Sequence, residues 1–263
     1  MTSPSKISRL RQMWHVVLPK EHGGWSLALE PLVLGLVAAP SVAGAALAAA
    51  VLAGFFLRRP LKIFLGGTGD DRRPAVFGAV VGLCVLAVAA LALAAMLTAP
   101  SRLWPLLPAA LAGAVFAWFD SRNEGREAAA ELAGASAFAF VPAALAAAAG
   151  WAPAPALALA AVMAGRSVPT VMMVRAYLRR LKGQPVSRLP AVAASITALA
   201  GFVLLMRAHL APGAAVWCGA LLAARTLVLL GPAAPRLKAN TVGLAEAGFG
   251  GVLVLILALS WSP

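Results

Sequence analysis

The run Ala75-Val-Phe-Gly-Ala-Val-Val-Gly-Leu-Cys-Val-Leu-Ala-Val-Ala-Ala-Leu-Ala-Leu-Ala-Ala-Met-Leu-Thr-Ala99 carries no charged residue. As a helix it reaches about 37 Å, enough to cross a hydrocarbon core of about 30 Å. Its apolar residues do not alternate, so it is no strand of an outer-membrane barrel. In lipid, backbone N–H and C=O groups must bond within their own segment, and a run of this kind is therefore helical. Similar runs lie at 24–39, 42–57, 102–119, 127–149, 154–174, 190–208, 212–231 and 243–261. The chain has 263 residues, 62% hydrophobic and 12% charged, with a mean hydropathy of +0.88, too few polar residues to coat a soluble domain. The sequence predicts an all-α, polytopic membrane helix bundle of about nine transmembrane helices. Residues 1–263 form a single integral membrane domain, with 1–22 a cytoplasmic N-terminal segment. Pro40-Ser41 predicts a tight reversal between the first two spans. Cys84 and Cys218 each fall inside an apolar run and read as small packing residues.

The net charge of +13 belongs to the connections rather than to a nucleic-acid surface, since no aromatic-interleaved basic patch accompanies it. With the N-terminus inside, 18 of the 22 Lys and Arg residues fall in cytoplasmic segments, from Lys6 to Lys238. Only Arg102 and Arg207 fall outside, while Arg166 and Arg225 lie within helices. Nine spans with a cytoplasmic N-terminus and an outer C-terminus preserve this segregation; eight or ten would scramble it. The long basic stretch before residue 24, and Glu30 within the apolar run, favour a retained first helix over a cleaved signal peptide.

Charges inside spans are costly and mark candidate sites. Glu30, Glu131, Arg166, Arg225 and Glu246 all fall in the cytoplasmic half of their helices, which predicts a polar cavity open to the cytoplasm. In Asp120-Ser-Arg-Asn-Glu-Gly-Arg-Glu-Ala-Ala-Ala-Glu131 a continuous helix would stack Asp120, Glu124, Glu127 and Glu131 on one face, with Arg122 and Arg126 opposite. Such carboxylates, Asp120, Glu124 and Glu127 first, could hold Mg²⁺ or Ca²⁺. They could equally pair with neighbouring cations or form a solvated helix start. Two basic connections flank this segment. Residues 58–73 include Gly66, Gly67 and Gly69 but lack phosphate-loop spacing, and 166–188 places Arg175, Arg179 and Lys182 on one helical stripe suited to anionic headgroups. Lys20-Glu21-His22-Gly-Gly-Trp25 stands at the entry to the first span, with Trp25 at an interfacial position.

Lys20-Glu-His-Gly-x-Trp, the Arg-x-Glu to Glu-Leu-x-Gly stretch from Arg122 to Gly134, and Arg166-x-x-Pro-Thr170 resemble motifs of the YwiC-like family of bacterial membrane proteins. That resemblance runs across most of the chain and implies a bacterial cytoplasmic (inner) membrane location. The nine-span layout is also similar, more weakly, to UbiA-type prenyltransferases. Those enzymes hold Mg²⁺ and an isoprenyl diphosphate on Asp-rich connections. Here the first corresponding connection has only Asp70-Asp71, and 175–189 has no acid, so the resemblance does not supply a prenyl-transfer site.

The expected function is therefore a divergent UbiA-like scaffold binding an anionic isoprenoid or phospholipid. Lys20, Glu21, His22, Arg122, Glu124, Glu127, Glu131, Arg166, Arg175 and Arg225 are the candidate ligand-binding residues. Glu30 or Glu131 would be a general base if there is catalysis. The alternatives are a small-solute or proton-coupled transporter, and a non-catalytic assembly factor for a respiratory membrane complex. Reporter fusions placed after Pro263 and within 175–188 should give opposite topology signals. Two cytoplasmic signals would mean the span count is wrong.

Overall fold

The computed structural model describes residues 22–66 and 73–261. Its helices are α1 (His22–Ala38), α2 (Val42–Leu65), α3 (Arg73–Leu97), α4 (Leu106–Ser121), α5 (Ala128–Ala139), α6 (Val141–Ala148), α7 (Pro153–Leu181), α8 (Leu189–Arg207), α9 (Gly213–Leu230) and α10 (Ala239–Ser260). A 3₁₀ turn, Pro100–Leu103, precedes α4. Among the described residues, eight helical stretches are long and apolar enough to cross a membrane, α5 and α6 together making one of them. α1 is a shorter apolar helix, apolar over Trp25–Ala38, so eight of the nine expected spans reach that length among the described residues. The protein is a multi-pass helical membrane bundle.

Two boundaries differ from the sequence reading. The run expected to end at Leu57 continues through Arg58, Pro60 and Lys62 to Leu65. Its charges do not stop the helix because Arg58 and Lys62 both reach Asp120 at the end of α4. The run at 127–149 is instead divided at Phe140, just ahead of Pro142, whose ring and missing N–H interrupt the helical ladder. The Pro40-Ser41 reversal is as expected. The Ser41 hydroxyl accepts from the Gly44 N–H at 2.9 Å and caps α2.

At the centre stands α6, whose eight residues Val141 to Ala148 are all buried. It packs against α1, α2 and α7; α10 lies along α1, and α8 and α9 lie against α7. Lipid tails are as apolar as leucine, so these contacts rest on close packing of small residues rather than on expulsion of water. Ala139, Ala143, Ala146 and Ala147 accordingly meet Leu34, Leu159 and Met163 in the largest core cluster. α3, the most apolar span, buries only Val76, Ala90 and Ala94 and turns Val85, Val88 and Met96 outward, as a lipid-facing helix does.

One end of the bundle collects the basic connections. Arg180 donates to the Leu230 and Gly231 carbonyls, at 3.0 and 2.6 Å, and so closes the C-terminus of α9. The Tyr177 hydroxyl donates to the Pro235 carbonyl and accepts from the Leu237 N–H at 2.9 Å. These bonds hold the 230–239 connection against the far end of α7.

Gly35 of α1 faces α6 so closely that an added Cβ would sit 2.9 Å from the Pro142 Cα and 2.6 Å from Leu145 Cδ1. Backbone cannot yield as a side chain can. Gly35→Ala should therefore cost about 1–3 kcal/mol, read as a lowered unfolding temperature in detergent. Gly54→Ala in α2, where the added methyl meets nothing within 4 Å, should be neutral or slightly stabilising. Equal effects would remove close α1–α6 packing as the cause.

Candidate functional site

Four helices each bring a charged or hydroxyl side chain to one buried cluster. From α7, Arg166 donates through Nη2 to Glu30 Oε1 on α1 at 2.7 Å and through Nη1 to Thr170 Oγ1 at 3.1 Å. From α9, Arg225 donates through Nη2 to the same Thr170 oxygen at 3.1 Å and through Nη1 to Glu246 Oε2 on α10. Ser26, one turn before Glu30, donates its hydroxyl to Glu30 Oε1. The Arg225 guanidinium also lies over the Phe249 ring, 5.4 Å from its centroid.

Thr170 is the hinge of this arrangement. Its hydroxyl has one proton, which it gives to the Arg166 carbonyl at 2.7 Å, and two lone pairs, one for each guanidinium. Two cations approach one another because a neutral oxygen saturated by both lies between them, with a carboxylate on each far side. Fully ionised, the two arginines and two glutamates sum to zero charge. The Arg166 and Glu30 side chains are only 5% and 6% exposed, and those of Arg225 and Glu246 12% each. Nε of Arg166 and of Arg225 is buried without a partner among the described residues.

Gly250 makes room for the cluster. A Cβ there would collide with both the Arg166 guanidinium and the Glu30 carboxylate. Glycine inside a helix costs about 1 kcal/mol relative to alanine, and here it lets a planar cation lie against the α10 backbone.

The remaining candidates form separate sites. Glu131 does not join Glu30, Arg166 and Arg225; it pairs with Arg175 at 2.7 Å, nearer the basic end, where Arg175 also donates to the Arg126 carbonyl at 2.6 Å. The expected single acidic face over 120–131 does not form. α4 ends at Ser121, Asn123 adopts a left-handed φ of 59°, and the next helix begins after Glu127 as its N-cap. Asp120 is drawn to Arg58 and Lys62, at 3.1 and 3.0 Å, while Gly125 folds over its carboxylate. Glu124 and Glu127 are exposed, and Arg122 stacks on Trp118 at 3.9 Å. Among the described residues no three His, Cys, Asp or Glu side chains are grouped to hold a metal ion, so the Mg²⁺ reading of Asp120, Glu124 and Glu127 lacks the shared face on which it was based. Lys20, Glu21, Asp70 and Asp71 lie outside the described residues, as does the His22 side chain. Sequence reading passed over Thr170, Ser26 and Gly250 as site residues, and noted Glu246 only as an intramembrane charge. Thr170 alone had a signal, its place one turn after Arg166.

Burial separates these pairs energetically. Glu30→Gln leaves Arg166 charged and buried beside a neutral amide, a loss expected to approach the 3–5 kcal/mol of a broken buried pair. Glu131→Gln, at a side chain 34% exposed, should cost under about 1 kcal/mol. Gly250→Ala should destabilise despite alanine's better helix propensity. Thermal unfolding of the three variants in detergent checks this ordering; equal shifts for Glu30→Gln and Glu131→Gln would contradict it.

No curated protein and no solved structure matches this chain. The family model described as YwiC-like protein matches residues 18–144, from just before α1 into α6. That stretch contains Lys20 to Trp25, Glu30 and the Arg122 to Gly134 segment; it stops short of Arg166-x-x-Pro-Thr170, so the likeness covers less of the chain than the motifs implied. Over residues 18–144, just under half of its length, the chain is similar to the YwiC-like family.

Proposed function

We propose that the chain binds an anionic isoprenoid or lipid phosphate at its cytoplasmic end, as a divergent scaffold of the UbiA type. The observation that carries this reading is a lateral cavity of about 330 Å³ between α9 and α10. Arg225 and Glu246 lie at its inner side, and Val228, Leu229, Val242, Ala245 and Phe249 make apolar walls. Leu237 lies at the connection, and its neighbours Arg236 and Lys238 are exposed. Glu246 is bound to Arg225 and offers no free negative charge to the cavity. The positive charge nearest in sequence comes from Arg236 and Lys238 on either side of Leu237, and the start of α10, whose unpaired N–H groups favour an anion, adds to it. A phosphate at the rim with its first carbons along Val242 and Phe249 fits this distribution of charge and oil. The volume suits the part of an amphiphile near its head, and the rest of the tail would follow lipid-facing Val228 and Val252. Cations here take the part that Mg²⁺ plays in prenyltransferases.

One observation favours a second reading, proton-coupled transport. The Glu30–Arg166–Thr170–Arg225–Glu246 chain is continuous across four helices, so a proton taken up by either glutamate would free an arginine and unbalance all four.

Native mass spectrometry of protein gently extracted in detergent tests the first reading. A co-purifying phosphate-bearing lipid is expected, retained at least about tenfold less by Arg236→Gln/Lys238→Gln, since a charge-assisted bond contributes about 1.5–3 kcal/mol. Absence of lipid together with proton-dependent solute flux in proteoliposomes would establish the second reading instead.

A further inference from the structure

The end of the bundle opposite the basic connections carries the larger cavity, about 920 Å³, between the starts of α7 and α9 and the ends of α8 and α10. Its wall includes Arg207 and His209, with Trp151 and Trp261 beside apolar Met206 and Leu210. Arg207 and His209 are exposed, and no hydrogen bond or ion pair to another described residue holds either side chain. No acidic side chain lines the cavity, and none occurs in the connections at that end, residues 39–41, 98–105, 149–152 and 208–212. A second guanidinium stands close by: an added Cβ on Gly150 would be 3.2 Å from Arg102 Nη1, so Arg102 lies against the residue before Trp151.

The backbone builds this site at a cost. α8 ends in a left-handed cap, with the Leu210 N–H donating to the Leu205 carbonyl at 2.9 Å and the His209 N–H to the Met206 carbonyl at 3.0 Å. Glycine is the usual residue at such a cap, yet His209 occupies it with φ 57°. The α6 terminus uses glycine in the same role: Gly150 has φ 96°, and the Trp151 N–H donates to the Ala146 carbonyl at 3.0 Å. A β-carbon in the left-handed region is disfavoured. The cap gains nothing from an imidazole that touches no partner, but the cavity gains a second nitrogen donor beside Arg207. Tryptophans at the level of the headgroups are the expected flank of a membrane interface.

We propose that this cavity binds the phosphate of a lipid headgroup in the leaflet at that end, on Arg207 and His209, with the glycerol and first carbons against Trp151, Trp261 and Leu210. This site is independent of the cavity between α9 and α10, and neither proposal needs the other.

The test uses the full chain in dioleoylphosphatidylcholine nanodiscs, with binding of dioleoylphosphatidate followed by native mass spectrometry. In an Arg236→Gln/Lys238→Gln background, which removes the cations beside Leu237 of the other cavity, phosphatidate binding should persist. Adding Arg207→Gln should then weaken it about tenfold or more. His209→Gly should also weaken binding while raising the unfolding temperature, because the cap loses its strain; a purely structural histidine would not separate the two. Inorganic phosphate that displaces the lipid from this background, and needs Arg207 to do so, would keep the anion site and make its ligand soluble phosphate. Phosphatidate binding unaltered by Arg207→Gln and His209→Gly, or abolished by Arg236→Gln/Lys238→Gln alone, would overturn the proposal.

Discussion

A guanidinium and a carboxylate withdrawn from water must face each other, and Glu30 and Arg166 do so at 2.7 Å across 136 residues of chain. Either charge alone in the bundle would be expensive, so the pair restricts which helix arrangements are tolerable. α1 and α7 must meet at this level, and α10 must present Gly250 there, since any larger side chain would occupy the space of the two charged groups. Thr170 extends the constraint to α9 by accepting from Arg225, and Glu246 returns it to α10. The hydroxyl of a single threonine thus couples two ion pairs that would otherwise be independent.

Packing supports this network without replacing it. Within a membrane, helices gain little by hiding apolar surface from one another, so alanines and glycines matter for the approach they allow. α6 is the clearest case, a short alanine-rich helix buried on all sides, with Gly35 of α1 seated against its proline. Close approach at α6 brings α1 and α7 within reach of each other, and the buried pair then selects their register.

The two ends of the molecule differ in what their charges do. At the basic end, arginines and lysines are largely engaged: Arg58 and Lys62 with Asp120, Arg175 with Glu131, Arg180 with the carbonyls ending α9. These contacts are partly exposed and individually weak, but together they tie the connections to the helix ends. The exposed Arg236 and Lys238 flank Leu237, which lines the cavity there. At the opposite end the cations are few and no acidic side chain accompanies them in the connections. Positive charge on either side of a membrane protein therefore has distinct local meanings, which a total of basic residues conceals.

Hydropathy alone determined the class of fold and the approximate span limits, because in lipid the need to satisfy backbone groups leaves a long apolar run no other structure. The rarity of charge in such runs also made Glu30, Glu131, Arg166, Arg225 and Glu246 visible as a set. Partnership was not legible. Glu131 has the same sequence signature as Glu30, yet only Glu30 faces Arg166, because which sides of two helices meet depends on rotation and crossing, which charge spacing does not encode. The acidic face over 120–131 failed for a related reason. Periodicity assumes an unbroken helix, whereas Asp120 bonds to Arg58 and Lys62 more than 50 residues earlier in the chain, and Gly125 closes over it in a turn. Thr170 and Gly250 carry no charge and so no hydropathic mark; their importance exists only where four helices converge, and only the tertiary structure brings those helices together.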